Sequence, residues 1–249
     1  MDVPEPIAAV QPASPPPLRV LSRRTAWSTT ACLLLLSFLA VALFVERPLL
    51  ARPHQHGRER RAAFAIRDYV IPFQQWGTRA FTLPNLQSGY GTVDYVTLRS
   101  WGEDRSDEVA SRIVKLLETH DAVDLFLLAH SNPFVDWVRK VPAELRRKLR
   151  LVYNTGCHDL RQKDLWLGLG ARAYVGHVGL SESPVFYVYF LRRWLRGRTL
   201  DEAVAEANAR TEAFLGSGLE GTLSNPQATV ASTHAERAGD GALTIGAVP

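Results

Sequence analysis

Hydrophobic and polar residues follow a repeating order from about residue 65 to residue 215. Short apolar runs alternate with longer segments in which apolar side chains recur every three or four positions. The apolar runs predict four buried strands, at Tyr95–Ser100, Asp124–His130, Leu149–Asn154 and Ala171–Gly176. Continuous apolar strands separated by helices are typical of a parallel sheet that helices cover on both faces. We therefore predict an α/β fold in three layers with a mainly parallel sheet.

Polar residues at the starts of the predicted helices support this order of elements. Ser106 has the character of an N-cap for a helix that extends to His120, and acidic residues follow it near the positive end of the helix dipole. Thr199 and Glu202 match the capping box that begins a helix. These signals predict two of the helices that connect or follow the strands.

A stretch of nineteen residues near the N-terminus, Trp27–Val45, contains no charged side chain. As a helix it is about 28 Å long, close to the roughly 30 Å hydrocarbon core of a membrane. We predict a retained single-pass transmembrane helix. The competing interpretation is a cleaved signal peptide, because Ala40 and Ala42 have the spacing of a cleavage site. Arginines are more numerous just after the stretch than just before it, which weakly favours a cytoplasmic C-terminal side.

These patterns divide the chain into five predicted regions. They are a Pro-rich disordered tail (1–26), the transmembrane helix (27–45), a basic linker (46–64), the folded domain (65–215) and a flexible C-terminal tail (216–249). The basic linker is equally compatible with contact to anionic lipid headgroups and with simple solvation by water.

The positive charge of the chain is local. The net charge is +4, but residues 68–249 carry 20 basic and 21 acidic side chains. A basic face is the usual footprint of a nucleic-acid binder, so nucleic acid is not a predicted partner. The two cysteines, Cys32 and Cys157, do not form a disulfide framework. The chain contains no phosphate-binding glycine motif, no serine-hydrolase elbow and no cluster with metal-ligand spacing, so we predict neither cofactor nor metal.

Two reactive side chains follow consecutive predicted strands. His130 ends one strand, and Cys157 follows the next after a Thr-Gly break. Consecutive strands joined by one crossover are usually neighbours, and parallel sheets bind ligands at the carboxyl ends of their strands. A thiolate is a strong nucleophile, and an imidazole can take the proton of a thiol and later donate it to a leaving amine. The pair predicts a catalytic dyad, with purely structural roles for both residues as the competing interpretation.

The order of these segments resembles the caspase-like fold of cysteine peptidases, most closely its CHAT and separase-type branch. The resemblance covers about Tyr95–Asn208 and is carried by DLFLLAHS, LRLVYNTGCHDL, GARAYVG and a helix pair whose second member is LDEAVAEAN. It implies that Cys157 is the nucleophile and His130 the general base. It also implies that the backbone amides of Ser131 and Cys157 hold the oxyanion.

The sequence departs from the family at Ser131 and at Thr155, a possible substrate-binding position. It also offers two further candidate substrate-binding residues. Ser131 stands where the family has a glycine, and Thr155 stands where metacaspases place an acidic residue that selects a basic P1 side chain. Thr155 therefore argues against basic P1 specificity. His177 is a candidate for the rim of the substrate cleft, with a partly exposed loop histidine as the alternative. Glu182 is a candidate acidic specificity group.

Together these features predict a membrane-anchored caspase-like cysteine peptidase that acts on a protein or peptide substrate through Cys157 and His130. Residues 27–45 are expected to contact membrane lipid. Two alternatives remain open at this stage. One is a catalytically inactive caspase-like domain that serves as a membrane-tethered protein-interaction module. The other is a flavodoxin-like or hydrolase domain with unrelated chemistry.

Overall fold

The fold is organised around one mixed sheet. The computed structural model describes residues 53–69, 75–76, 78–129, 133–181, 183–218, 231 and 233–247, which all belong to the unit Val45–Pro249. The strands of the described residues are β1 (Arg61–Arg67), β2 (Thr92–Thr97), β3 (Ala122–Leu128), β4 (Leu149–Asn154), β5 (Ala173–His177) and β6 (Ala235–Gly239). They pair in the order β2-β1-β3-β4-β5-β6, and only β6 runs antiparallel to its neighbour.

Helices cover both faces of this sheet. The α-helices of the described residues are α1 (Leu83–Gly89), α2 (Ser106–Thr119), α3 (Phe134–Arg139), α4 (Ala143–Arg146), α5 (Lys163–Gly168), α6 (Ser183–Trp194) and α7 (Leu200–Gly218). A π-helical turn, Thr78–Thr82, leads into α1, and short 3₁₀ turns occupy Arg58–Arg60 and Asp159–Gln162. One hydrophobic core contains side chains of α2, α3 and α5, and the other contains side chains of α1, α6 and α7. The predicted α/β class, three layers and mainly parallel sheet are confirmed.

The two strands that precede the candidate dyad are direct neighbours. β3 and β4 pair in parallel, with Leu125 opposite Val152 and Leu127 opposite Asn154. Every residue of both strands is buried. β4 has the predicted bounds, because its apolar run ends sharply at the Thr-Gly break. The predicted adjacency of these strands is therefore confirmed.

The first strand of the fold lies where the sequence predicts a linker. β1 is a central strand between β2 and β3, and its residues Arg61–Ile66 are buried. Arg61 is accommodated because its guanidinium donates to the carbonyl oxygens of Gly89 (2.9 Å), His56 (2.9 Å) and Ile245 (3.3 Å), and to that of His54. The assignment of residues 46–64 to a linker is thus wrong for residues 61–64, which belong to β1, since an arginine-flanked, alanine-rich strand resembles a basic linker in composition.

The predicted flexible tail also needs correction. α7 extends to Gly218, and β6 closes the sheet edge by pairing antiparallel with β5. Beyond β6, Leu243 and Ile245 are buried, and the carbonyl oxygen of Ile245 accepts hydrogen bonds from two buried arginines. These contacts hold the C-terminal segment in the fold, although its composition of small and polar residues gives no periodic signal.

Two local predictions about helix starts have different outcomes. The capping box is confirmed, because the N–H of Thr199 donates to Glu202 Oε2 at 3.0 Å and the N–H of Glu202 donates to Thr199 Oγ1 at 3.2 Å. Ser106, in contrast, is the first residue of α2 rather than its cap. The carboxylate of Asp104 accepts the Ser106 N–H at 2.8 Å.

No helix within the described ranges combines the length and the apolar character needed to cross a membrane. The predicted span Trp27–Val45 and the predicted tail 1–26 lie outside those ranges. The membrane anchor therefore stays a prediction.

Candidate functional site

Cys157 lies in the turn that follows β4, at the carboxyl edge of the sheet. The residues before it, Thr155 and Gly156, are buried, whereas Cys157 is partly exposed and its thiol is free. The backbone N–H of Ser181 donates to Cys157 Sγ at 3.4 Å, and the N–H of His158 donates to the carbonyl oxygen of Gly179 at 2.7 Å. The segment after β5 thus holds the turn from one side and presents an N–H to the sulfur.

Thr155 fastens the same turn to the end of β3. Its N–H donates to the carbonyl oxygen of Leu127 at 2.9 Å. Its hydroxyl lies 3.2 Å from the same oxygen as a donor, and it accepts the N–H of Ala129 at 3.1 Å. The hydroxyl of a buried threonine is thereby used within the backbone of two neighbouring strands. The structure places Thr155 between the strands, as a residue that joins them, rather than on a substrate-facing surface.

Three predicted site residues lie outside the described ranges: His130, Ser131 and Glu182. The register on either side of the site is nevertheless informative. Leu127 and Asn154 are opposite each other, and in the sequence His130 and Cys157 each follow their strand residue by three positions. Ala129, the residue before His130, donates its N–H to Thr155, two residues before Cys157.

His177 is the last residue of β5 and is fully buried. Ring Nδ1 lies 2.8 Å from the carbonyl oxygen of Thr233, and Nε2 lies 3.3 Å from the hydroxyl of Tyr153. Burial lowers the pKa of His177 to about 4, so the ring is neutral at pH 7. Nδ1 then donates to Thr233, and Nε2 accepts from Tyr153. The structure places His177 in the core between β5 and α6, with its ring edge-on to Phe186, and not at an open rim.

Sequence reasoning missed the buried acid of this region, Asp159. It is two residues after Cys157 and is 1% exposed. Its Oδ1 accepts the N–H of His177 at 2.9 Å, and its carbonyl oxygen accepts the hydroxyl of Tyr174 at 2.8 Å. Burial raises the pKa of Asp159 to about 7, although nearby backbone N–H groups and Arg161 act in the opposite direction. The available signal was an acidic residue so close to a candidate nucleophile, but only the fold shows that it is buried.

Among the described residues, the Cys157 site offers a thiol and a backbone N–H donor but no cluster of side chains that could bind a cation. No group of three His, Cys, Asp or Glu residues within the described ranges could hold a metal ion. Val178 and Leu180, on the segment that holds the turn, are exposed apolar residues. The sulfur is thus partly exposed, and the segment whose Ser181 N–H donates to it also carries exposed apolar side chains.

Comparison with known proteins does not assign the chain to a family. No model of a protein family matches it, and no curated protein matches it.

Proposed function

We propose that the protein is a membrane-anchored cysteine peptidase of the caspase-like type, similar to the CHAT branch, with Cys157 as nucleophile and His130 as general base. The observation that carries this proposal is the position of the Cys157 turn. It follows β4 at the carboxyl edge of the sheet and is fastened through Thr155 to the end of β3, the strand after which His130 occurs.

The topology of the sheet favours a ligand site near the end of β3, the strand after which His130 occurs. The chain passes from β1 to β2 on one side and, by way of β3, to β4 and β5 on the other. The order therefore reverses between β1 and β3, and in open α/β sheets ligands bind outside the carboxyl ends of the strands near such a point. The crevice predicted by this rule borders the end of β3, one strand away from the Cys157 turn.

The proposed reaction has two stages. In the first, His130 takes the thiol proton, Cys157 Sγ attacks the peptide carbonyl, and the N–H groups of Ser131 and Cys157 stabilise the oxyanion. The C–N bond then breaks, the amine leaves with the proton from His130, and a thioester remains. In the second, His130 takes a proton from water and the hydroxide attacks the thioester carbonyl. The C–S bond then breaks, the carboxylic acid is released, and His130 returns the proton to the sulfur of Cys157. The Ser181 N–H interacts more strongly with the thiolate than with the thiol, because hydrogen bonds to ionised groups are stronger.

The chemistry is tested on the full-length chain in detergent with a peptide library. Cys157→Ala and His130→Ala should each remove most turnover, and the double variant should be little worse, because the two residues act as a unit. Cys32→Ser and His158→Asn are matched controls, since they replace the other cysteine and the histidine next to Cys157, and they should retain activity.

Cleavage that survives Cys157→Ala would overturn the proposal. If the wild type cleaves nothing and iodoacetamide labels Cys157 no faster than an ordinary thiol, the inactive interaction module is the better description.

The membrane anchor is tested separately by fractionation. The proposal requires full-length protein to remain with membranes after a carbonate wash, because Trp27–Val45 is long enough to span. Release of the full-length protein, or a mature N-terminus at Leu43, would remove the anchor.

A further inference from the structure

The carboxylate of Asp159 is buried behind the turn that carries Cys157. Oδ1 accepts the N–H of His177 at 2.9 Å, whereas Oδ2 is buried and has no hydrogen-bond partner among the described residues. A carboxylate removed from water without a bonded cation is costly, so its retention in this place calls for a physical role.

The contacts of Asp159 tie the end of the Cys157 turn to β5. Oδ1 accepts the N–H of His177, and the hydroxyl of Tyr174 donates to the carbonyl oxygen of Asp159 at 2.8 Å. A Cβ atom on Gly176 would lie 3.0 Å from Oδ1, so the glycine leaves the carboxylate room to approach β5. On the other side of Cys157, the N–H of Gly156 donates to Asn154 Oδ1 at 3.1 Å. Asp159 thus connects the end of the Cys157 turn to β5.

The turn needs such support because its backbone is strained. His158, between Cys157 and Asp159, has a φ of 56° and lies in the left-handed region. A residue with a Cβ atom adopts this conformation at a cost, and it persists where surrounding contacts enforce it. The enforcing contacts are the bond from the His158 N–H to the carbonyl oxygen of Gly179 and those of the Asp159 carboxylate.

We propose that Asp159 is a positioning residue for Cys157: its carboxyl group and its carbonyl oxygen tie the turn to β5 in the conformation that presents the thiol. The catalytic part of this inference rests on the proposed peptidase function. The structural part, in which Asp159 holds the turn, is independent of that function and can be measured without any substrate.

The groups around Asp159 make its ionisation separable from other titrations. Burial raises the pKa of Tyr153 on β4 and of Tyr174 on β5, and it lowers that of His177 on β5 to about 4. Arg161 lies on the same 3₁₀ turn as Asp159. With the pKa of Asp159 raised to about 7, this acid is the member of the set that titrates near neutrality. Because burial favours the protonated acid, ionisation of Asp159 weakens its hold on the turn.

The test combines amide hydrogen exchange of residues 156–159 with peptide-cleavage kinetics on the full-length chain, between about pH 5.5 and 8.5. Asp159→Ala should accelerate exchange of the turn about tenfold below pH 7, the effect of losing one hydrogen bond to a buried backbone N–H. In the wild type, exchange corrected for its intrinsic pH dependence should accelerate as the pH rises toward about 7, because ionisation of the buried acid is unfavourable, and this step should vanish in Asp159→Ala. The variant should lower kcat with little change in KM, because substrate binding is retained while the thiol is misplaced.

Asp164→Ala is the matched control, because it removes an exposed carboxylate from nearby α5 and should leave both measurements unchanged. If Asp159→Ala does not fold, Tyr174→Phe provides the second variant. It removes only the hydroxyl that holds the Asp159 carbonyl oxygen, and it should accelerate exchange of the turn by a smaller factor.

The outcomes separate the two proposals. Unchanged exchange in a folded Asp159→Ala, or in Tyr174→Phe where that variant replaces it, overturns the role of Asp159 whatever the activity. Faster exchange with unchanged kcat overturns its positioning of the thiol. A wild type with no turnover, but with the pH-dependent step in exchange, overturns the peptidase and supports the hold of Asp159 on the turn.

Discussion

Two buried aspartates lie at opposite ends of the parallel strands, and their surroundings differ. We refer to these two ends as the amino edge and the carboxyl edge of the sheet. Asp124, near the start of β3, accepts two hydrogen bonds from the Arg150 guanidinium (2.8 and 2.7 Å) and one from the Tyr90 hydroxyl (2.5 Å). Asp159, at the carboxyl edge, accepts the backbone N–H of His177 (2.9 Å), and no guanidinium within the described ranges is bonded to it. The first acid is neutralised by a partner, and the second is left close to its point of titration.

The other polar groups at the two edges differ in the same way. At the amino edge Arg150 also donates to the carbonyl oxygens of Ile245 (2.5 Å) and Ala247 (2.9 Å), and Tyr90 accepts the indole N–H of Trp194 at 2.8 Å. These bonds join β3, β4, α6 and the C-terminal segment. The carboxyl edge instead carries a partly exposed thiol on a strained turn. The comparison teaches that this fold concentrates structural polar contacts at one edge and reactive groups at the other.

The largest expected effect is loss of the buried ion pair. Arg150→Met leaves Asp124 charged and unpaired in the core, so the free energy of unfolding should fall by about 3–5 kcal/mol. Urea denaturation measures it. Arg172→Met is the control, because the Arg172–Asp240 pair is about one-third exposed, and its loss should cost ~1 kcal/mol or less. Similar losses in the two variants would contradict the structural role given to the amino edge.

The pH dependence of stability should reveal two opposing groups at the carboxyl edge. The raised pKa of Asp159, about 7 against an ordinary 3.8, makes its contribution to stability complete below pH 3.8 and decreasing up to about pH 7. The lowered pKa of His177, about 4 against 6.5, makes its contribution complete above pH 6.5 and decreasing as the pH falls toward 4. Between about pH 4 and 6.5 the two contributions cancel in the wild type.

Single variants should expose each slope. Relative to the wild type, the stability of Asp159→Asn should rise with pH across this window by about 1.4 kcal/mol per pH unit, and that of His177→Gln should fall by the same amount. Urea unfolding at several pH values gives both slopes. Slopes of the same sign would show that the two groups are not ionised as described.

A pair of tyrosine variants compares the edges directly. Tyr90→Phe removes a hydrogen bond to a buried carboxylate and should cost about 2 kcal/mol, because bonds to charged groups are strong. Tyr153→Phe removes a 3.3 Å bond to a neutral imidazole and should cost ~1 kcal/mol or less. Thermal and urea unfolding of both variants check the ranking. A larger cost for Tyr153→Phe would reverse the comparison.

A similarly small effect on stability is expected at Thr155, whose hydroxyl joins the ends of β3 and β4. Thr155→Val keeps the shape but leaves the Ala129 N–H without its acceptor, at a cost of about 1 kcal/mol. Under the proposed function, kcat should fall at least about tenfold, because the residues after β3 and β4 lose their common anchor. Thr155→Ser retains the hydroxyl and should stay close to wild type in both measurements. Wild-type turnover by Thr155→Val would remove Thr155 from the site.

Local pattern was sufficient for much of the sheet. The continuous apolar runs of β3 and β4 predict buried parallel strands, and their adjacency follows from one crossover between them. β1 and β6 escaped prediction for physical reasons. β1 is rich in alanine and flanked by arginines, and β6 is an edge strand with mostly exposed residues, so neither has the apolar run that marks a buried strand.

For the candidate site, the sequence predicts that Cys157 follows a buried strand, and the described residues place it in the turn after β4. The surroundings of the thiol could not be predicted in the same way. The hydroxyl of Thr155 is occupied by backbone groups 26 and 28 positions away in the sequence, and the His177 ring meets a carbonyl group 56 positions away. Asp159 resembles any polar turn residue until the fold encloses it.

The sequence by itself determined the class of the fold, the bounds of β4, the capping box of α7 and the position of Cys157 after a buried strand. These features depend on short-range periodicity and on hydrogen bonds between near neighbours, which the order of residues encodes directly. Only the tertiary structure decided that Arg61, Arg150, Asp159 and His177 are buried and how each is satisfied. A charged or titratable group can be buried only where partners from distant segments converge on it, as Ile245 does on Arg150 across 95 positions, and such convergence has no local signature.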